Sequence, residues 1–331
     1  MRRVKPPLPP EVERGANGLR VRGHALVLDP HGRPALGFVA HARAAPRVLP
    51  ERSVATAATI ALLEASQPRA LQKSAALPGV YGKPFALGSL RLTVFPAGHV
   101  LGSAQLRVEA QGLDLVWAAD LGGFGAHASA TAEPCEQLEC ETLALNALYG
   151  HPRYIFPPRE ESLQRALEFV QRSKRAGQTP VLIASPLGAT QDLLRYFDGR
   201  ALLRLHPAAY RACEVYAAQG IALTGYARLD EPGDAVLVPP SYRLSRLELG
   251  QHRICSLTGR AVDGLPAGAH EALPLSDHAG FQELLDYALK SQARRVITAH
   301  GHADELAAAL RQRGLDAVAV RDQHQLRLPG F

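Results

Sequence analysis

Apolar positions recur with two different periods along this chain, and the change of period divides it. Residues 90–95, Leu-Arg-Leu-Thr-Val-Phe, alternate strictly and predict a strand with one buried face. Strands are also predicted at 105–109, 113–118 and 142–148, and the apolar run 35–40 has the length of one buried strand. Residues 19–29 read as two short strands around a turn at Gly23, closing in Asp29-Pro30, and the alanine-rich 54–66 reads as a helix. From about His151 the texture changes. Phe156-Pro-Pro breaks the chain, 161–174 form an amphipathic helix, 180–185 a buried strand, and Gly188 opens a helix to Phe197, the order of a βα unit. A strand over 235–240 is closed by its own prolines. Beyond residue 251 the pattern predicts a strand at 253–257, a helix at 281–291, a strand at 295–298 with His300 at its end, and a last helix at 305–313. The class is α/β. Residues 1–150 and 251–331 are expected to form one body, with 151–250 a smaller α/β insert.

Composition narrows this modestly. A length of 331 residues accommodates one large or two moderate domains. Apolar residues at 47% and charged residues at 21% are ordinary for a globular protein. No apolar run approaches the roughly 20 residues that span a bilayer, and the first ten residues hold basic side chains without an apolar signal core. The expected location is therefore the cytoplasm, with no membrane contact. Cys135, Cys140, Cys213 and Cys255 form no Cys-x-x-Cys pair and are expected as free thiols. A net charge of +6 and an isoelectric point near 9.3 fit a polyanionic partner, DNA or RNA.

The candidate chemistry begins at Pro96-Ala-Gly-His-Val-Leu-Gly-Ser-Ala-Gln105. Gly98 and Gly102 bracket His99, so the backbone turns and the imidazole is presented at the strand end. This stretch resembles the third metal-binding motif of metallo-β-lactamase-fold nucleases of the β-CASP group. Further pieces follow in the order seen in ligase-associated DNA exonucleases: Asp29-Pro, Cys140-Glu-Thr-Leu, Tyr149-Gly, Tyr154 with Phe156-Pro-Pro, Ser185-Pro-Leu-Gly, Ser276-Asp-His278 and Thr298-Ala-His-Gly301. The resemblance implies a metallo-β-lactamase αββα sandwich with an inserted small α/β β-CASP cap. It also implies two metal ions that activate water against a phosphodiester. On that likeness His99 would ligate the first ion, Asp120 would bridge the two, and His300 would bind the second. His278 would be catalytic, protonating the leaving 3′ oxygen or steadying the scissile phosphate.

The departures from the family pattern fall on ligand positions. Where the family has His-x-His-x-Asp-His, this chain has His41-Ala-Arg43-Ala-Ala45-Pro46, and only the first histidine remains. Arginine stays charged and offers no lone pair, and alanine and proline have no side-chain ligand atom. Asn146-Ala-Leu148 stands where the family has Glu-Ser-Thr, and Ala119 precedes Asp120 where a glycine is usual. One ion would keep His41, His99 and Asp120; the other would keep Asp120 and His300. Three ligands suffice for zinc, but a guanidinium beside the ion opposes it. The expectation is no resident metal, with zinc or manganese as the ion if one binds. Arg43 then has two readings, a solvated surface arginine or a guanidinium in the vacant metal position paired with Asp120. The retained His99, His278 and His300 are either functional or inherited packing. Arg159, Arg165, Arg172 and Arg175 are either a solvated helix face or phosphate contacts along an interdomain cleft. Three functions remain open: a catalytically degenerate exonuclease relative that binds nucleic acid or a partner, a one-ion nuclease or phosphodiesterase, and a protein-interaction module beside a DNA ligase or helicase without DNA affinity.

Overall fold

The structure is a computed structural model in which residues 11–45 and 47–320 are described; Pro46 lies outside them. The first sheet holds β1 (Val12–Gly15), β2 (Gly18–Val21), β3 (Leu26–Leu28), β4 (Leu36–Phe38), β5 (Arg52–Thr56) and, after helices α1 (Ala57–Ser66) and α2 (Pro68–Leu71), β6 (Ala75–Gly79). Strands β1 to β3 are antiparallel and β3 to β6 parallel. The second sheet begins with β7 (Phe85–Leu87), β8 (Leu90–Pro96), β9 (Ala104–Ala110), β10 (Leu113–Trp117) and β11 (Thr142–Asn146). Its inner residues Leu92, Val94, Leu106 and Trp117 interlock with Val12, Leu26, Phe38 and Val54 of the first sheet in one buried cluster.

The chain then leaves this sandwich. Helix α3 (Arg159–Arg175) leads to β12 (Thr179–Ile183), α4 (Ala189–Phe197), β13 (Leu203–Leu205), α5 (Pro207–Ala218), β14 (Tyr226–Arg228), β15 (Ala235–Val238), β16 (His252–Leu257) and β17 (Glu271–Leu273). These six strands form a third sheet, parallel throughout, in the order β14-β13-β15-β12-β16-β17. Both faces are covered, by α3, α4 and α5 on one side and by Tyr242, Leu244, Leu247 and Leu249 on the other. That is why its strands read as unbroken apolar runs. Helix α6 (Phe281–Lys290), β18 (Arg295–Ala299), α7 (Ala303–Gln312) and β19 (Asp316–Val320) return to the second sheet, where β18 pairs in parallel with β11. Leu284, Leu285, Leu306 and Leu310 of α6 and α7 cover its outer face, and Leu63 of α1 covers the outer face of the first sheet. The third-sheet unit docks through Leu187, Ala212 and Tyr216 onto Leu62, Val100 and Leu101.

Three sequence expectations need correction. Residues 54–56 finish a strand instead of starting a helix; the helix waits for Thr56, whose extended backbone and hydroxyl cap it by accepting the Thr59 N–H at 3.1 Å. The strand at 253–257 belongs to the third sheet, pairing with β12 from Thr179↔His252 to Ile183↔Ser256, so the chain returns to the sandwich only after β17. The basic face of α3 loses Arg159, which is buried at 7% exposure, while Arg165, Arg172 and Arg175 are exposed. All four cysteines are free. Among the described residues no helix is long and apolar enough to cross a membrane.

Candidate metal centre

Loops at strand ends of the two sandwich sheets deliver the side chains. His41 follows β4, and its backbone is fixed by Asp29, whose carboxylate accepts the Ala40 N–H and the Trp117 Nε1–H, each at 2.9 Å. Burial pushes the Asp29 carboxyl up, against the pull of nearby His41. His99 sits in the β8–β9 loop between Gly98 (φ +76°) and Gly102 (φ +75°), and Ser103 Oγ accepts the His99 N–H at 3.0 Å. Thr56 and Thr59 hydroxyls both donate to the Gly102 carbonyl, at 2.7 and 2.9 Å, which ties this loop to α1. Asp120 follows β10 after Ala119, which takes a left-handed φ of +52°. Asn146 ends β11.

These pieces converge. His41 Nε2 lies 3.0 Å from Asp120 Oδ2, and the Asn146 amide donates to Asp120 Oδ1. The His41 ring is 4.6 Å from that of His99, and the His99 ring 4.2 Å from that of His278. One ligand atom from each of His41, His99 and Asp120 falls within 4.8 Å of the others, close enough for the three to gather around one ion. His278 Nδ1 stands 3.8 Å from Asp120 Oδ1. A cavity of about 10 Å³, room for a single water, opens between Asp120, Asn146, Tyr149 and His278. His300 follows β18 with φ +59° and is not in the three-ligand group. Ala45 packs against the apolar cluster of Val39, Leu49 and Leu63.

Hydrogen bonding assigns the tautomers. The carbonyl of Asp277 can only accept, so His99 Nδ1 carries a proton and donates to it at 2.8 Å. His99 Nε2 is then a bare lone pair, and it is buried without a hydrogen-bond partner. An orphaned imidazole nitrogen with its other nitrogen on a carbonyl is the arrangement of a metal-ligating histidine. His41 Nδ1 accepts the Ala44 N–H at 3.2 Å, which puts the proton on Nε2, facing Asp120. An ion at this position would displace that proton. Burial pushes His99 well below the usual histidine range, reinforced by His278 and His41. Burial likewise lowers His278, to about 4, although Asp120 pulls the other way. Burial alone would raise Asp120, but the imidazoles of His278, His41 and His99 hold it well below the carboxylate range. The donor set thus fits one ion, and the expectation of no metal is not supported.

Arg43 does neither thing foreseen for it. Its Nη1 donates to Asp277 Oδ2 at 2.7 Å, not to Asp120. Asp120 already receives His41 and Asn146, whereas Asp277 is a buried carboxylate that needs cations. Arg159 Nη2 takes the other oxygen of Asp277 at 2.8 Å, while its Nε binds Asp192 and its Nη1 the Ser276 carbonyl. Asp277, Asp192 and the partnering of Arg159 escaped the sequence reading because they lie in three distant segments. Only the Ser276-Asp-His278 motif marked the place.

Comparison with known proteins fits this setting. No protein-family profile matches the chain. It is 33% identical over 314 residues, 91% of its length, to part of a probable DNA ligase of Opitutus terrae. It is 27% identical over 118 residues to the endoribonuclease YSH1 of Gibberella zeae, and 30% identical over 115 residues to the transcription termination factor FttA of Pyrococcus abyssi, matching 36% and 34% of this chain. The chain spans 30% of the ligase, 14% of the endoribonuclease and 17% of the termination factor, so what it shares with each is one part of a longer protein named for work on nucleic acid.

Proposed function

We propose that this chain is a metallo-β-lactamase/β-CASP protein of the ligase-associated exonuclease kind that has given up two-ion phosphodiester hydrolysis and kept nucleic-acid or partner binding. The first two sheets with α1, α6 and α7 would be the αββα sandwich, and the third-sheet unit the cap, ending near residue 274 instead of 250. The observation that carries the reading is the Asn146–Asp120 hydrogen bond. A bridging carboxylate must offer one oxygen to each ion. Here one oxygen accepts an amide N–H and the other faces His41, and an amide NH₂ has no lone pair for a cation. Ala45, packed in an apolar cluster, offers no ligand atom on that side.

His41, His99 and Asp120 would hold a single zinc or manganese, which when bound supplies Lewis acidity and an acidified water. His278, neutral at pH 7, is placed to hydrogen-bond a phosphate oxygen beside Asp120. The net charge of +6 favours a polyanion. The match to one portion of a DNA ligase supports a ligase as partner, in trans or on a longer polypeptide.

The test combines metal content by mass spectrometry with hydrolysis of single- and double-stranded DNA and RNA in zinc or manganese. At most one ion per chain is expected, with no hydrolysis above the Asp120→Ala background. DNA binding should weaken linearly in log K against log salt. Two ions per chain would refute the reading. A second reading, a one-ion nuclease, is favoured by the bare His99 Nε2; hydrolysis abolished by Asp120→Ala would establish it.

A further inference from the structure

Asp277 is gripped from two sides. Arg43, from the loop after β4 in the sandwich, donates to Oδ2 at 2.7 Å, and Arg159, at the start of α3, donates to Oδ1 at 2.8 Å. Asp192 of α4 takes the Nε of Arg159 and also receives the Thr131 and Ser129 hydroxyls at 2.7 and 3.0 Å. Two guanidiniums and two carboxylates cancel, so the assembly sets no net charge beside the His41–His99–Asp120 group. There is no slack around it: a Cβ placed on Gly188 would lie 2.7 Å from Asp277 Oδ2. The main chain of this clamped residue supplies the carbonyl that receives His99 Nδ1–H at 2.8 Å.

We infer that Arg43 and Arg159 are positioning residues: by fixing Asp277 between the sandwich and the third-sheet unit they aim its carbonyl at His99, hold the Nδ1–H tautomer and leave the Nε2 lone pair bare for the His41–His99–Asp120 group. An arginine that stands where a ligand histidine would be expected thus acts on the site through another residue. Outer partners of this sort change metal affinity by about 10- to 100-fold. The metal half of this inference rests on the one-ion reading above; the tautomer half does not.

The experiment uses full-length protein labelled with ¹⁵N-histidine, with long-range ¹H–¹⁵N correlation spectra reporting which ring nitrogen is protonated. His99 is assigned by the signal lost in His99→Gln. Wild type should show His99 protonated at Nδ1 only. Arg43→Met, chosen because Arg43 is 31% exposed and its loss is tolerable, should show a mixture of tautomers. Its zinc affinity by chelator competition should fall about 10- to 100-fold, with Arg43→Lys restoring part of both. If Arg43→Met does not fold, Asp277→Asn, which keeps the shape and loses both ion pairs, is read the same way. A folded variant with wild-type tautomer and zinc affinity would overturn the inference, as would wild-type His99 protonated at Nε2. Should the wild type bind no zinc, the one-ion reading fails while the tautomer spectra still decide this one.

Discussion

Single residues around Asp120 hold the strain and the charge of this molecule. Among the described residues four non-glycine residues have positive φ, and one of them, Ala119, immediately precedes Asp120, while another, Asp29, holds the Ala40 N–H before His41. Ala119 at φ +52° has a Cβ that crowds the following carbonyl, at a cost of about 1–2 kcal/mol, partly offset by the freedom glycine has when unfolded. Ala119 is also buried in the core, so losing its methyl costs about 0.8 kcal/mol, and Ala119→Gly should leave the urea midpoint within about 1 kcal/mol of wild type in stability. Asn146→Asp tests the opposite idea, that Asn146 serves the site only as a donor. It would set a carboxylate against Asp120, costing about 2–4 kcal/mol at neutral pH. Melting in chelator should fall, and added zinc should recover part of the loss. His278 fixes a pH dependence in the metal-free protein. Its folded pKa, about 4, lies below the unfolded value of 6.5, so between those values the unfolded chain binds more protons. Stability is complete above pH 6.5 and declines as pH falls toward 4, by about 3 kcal/mol over the window. Asp120, whose folded pKa is also depressed, adds a loss of the same sign at lower pH. Urea denaturation from pH 7.5 to 4 checks this, and His278→Gln should flatten the profile.

At the scale of elements, legibility followed burial. Strand β8 is legible because Leu90, Leu92 and Val94 alternate toward one core, and β10 because Leu115, Val116 and Trp117 make an unbroken apolar run buried on both faces. The junction at Thr56 misled because Val54-Ala55-Thr56 is short and alanine-rich on its helical side; its strand character comes from pairing with β6, a partner that sequence does not announce. Helix α5 went unread: its buried face is Ala209, Ala212, Cys213 and Tyr216, too small and mixed to stand out. The site was half legible. His41, His99 and Asp120 were named and do meet, because glycine turns and strand ends are local signals. Neither reading of Arg43 names Asp277, because that partner is contributed from across the molecule and only packing reveals it. Helix α4 bears on the same point through its N-cap, Gly188. Gly188 combines φ +92° with no room for a Cβ beside Asp277. Gly188→Ala should cost about 2–4 kcal/mol by thermal or chemical denaturation, clearly more than a solvent-facing Gly→Ala such as Gly177→Ala, whose Cβ meets nothing.

For the whole molecule the decisive feature is the pairing of β11 with β18, neighbours in the second sheet that are separated in sequence by the entire third-sheet unit. As the chain leaves the ribosome, β11 presents an open edge, and its natural partner arrives only after α3 to β17 have been synthesised. Such a delay is a long-range closure, intrinsically slow, and an unpaired apolar edge is a template for self-association. Thr142 to Leu145 are all buried in the finished sheet, which leaves little in that strand to repel a second copy meanwhile. A version truncated after β17 should therefore aggregate during expression, while the intact chain should refold with yields that fall as concentration rises, measurable by light scattering during dilution from urea. The third-sheet unit, in this light, is a timer on the closing of the sheet it interrupts.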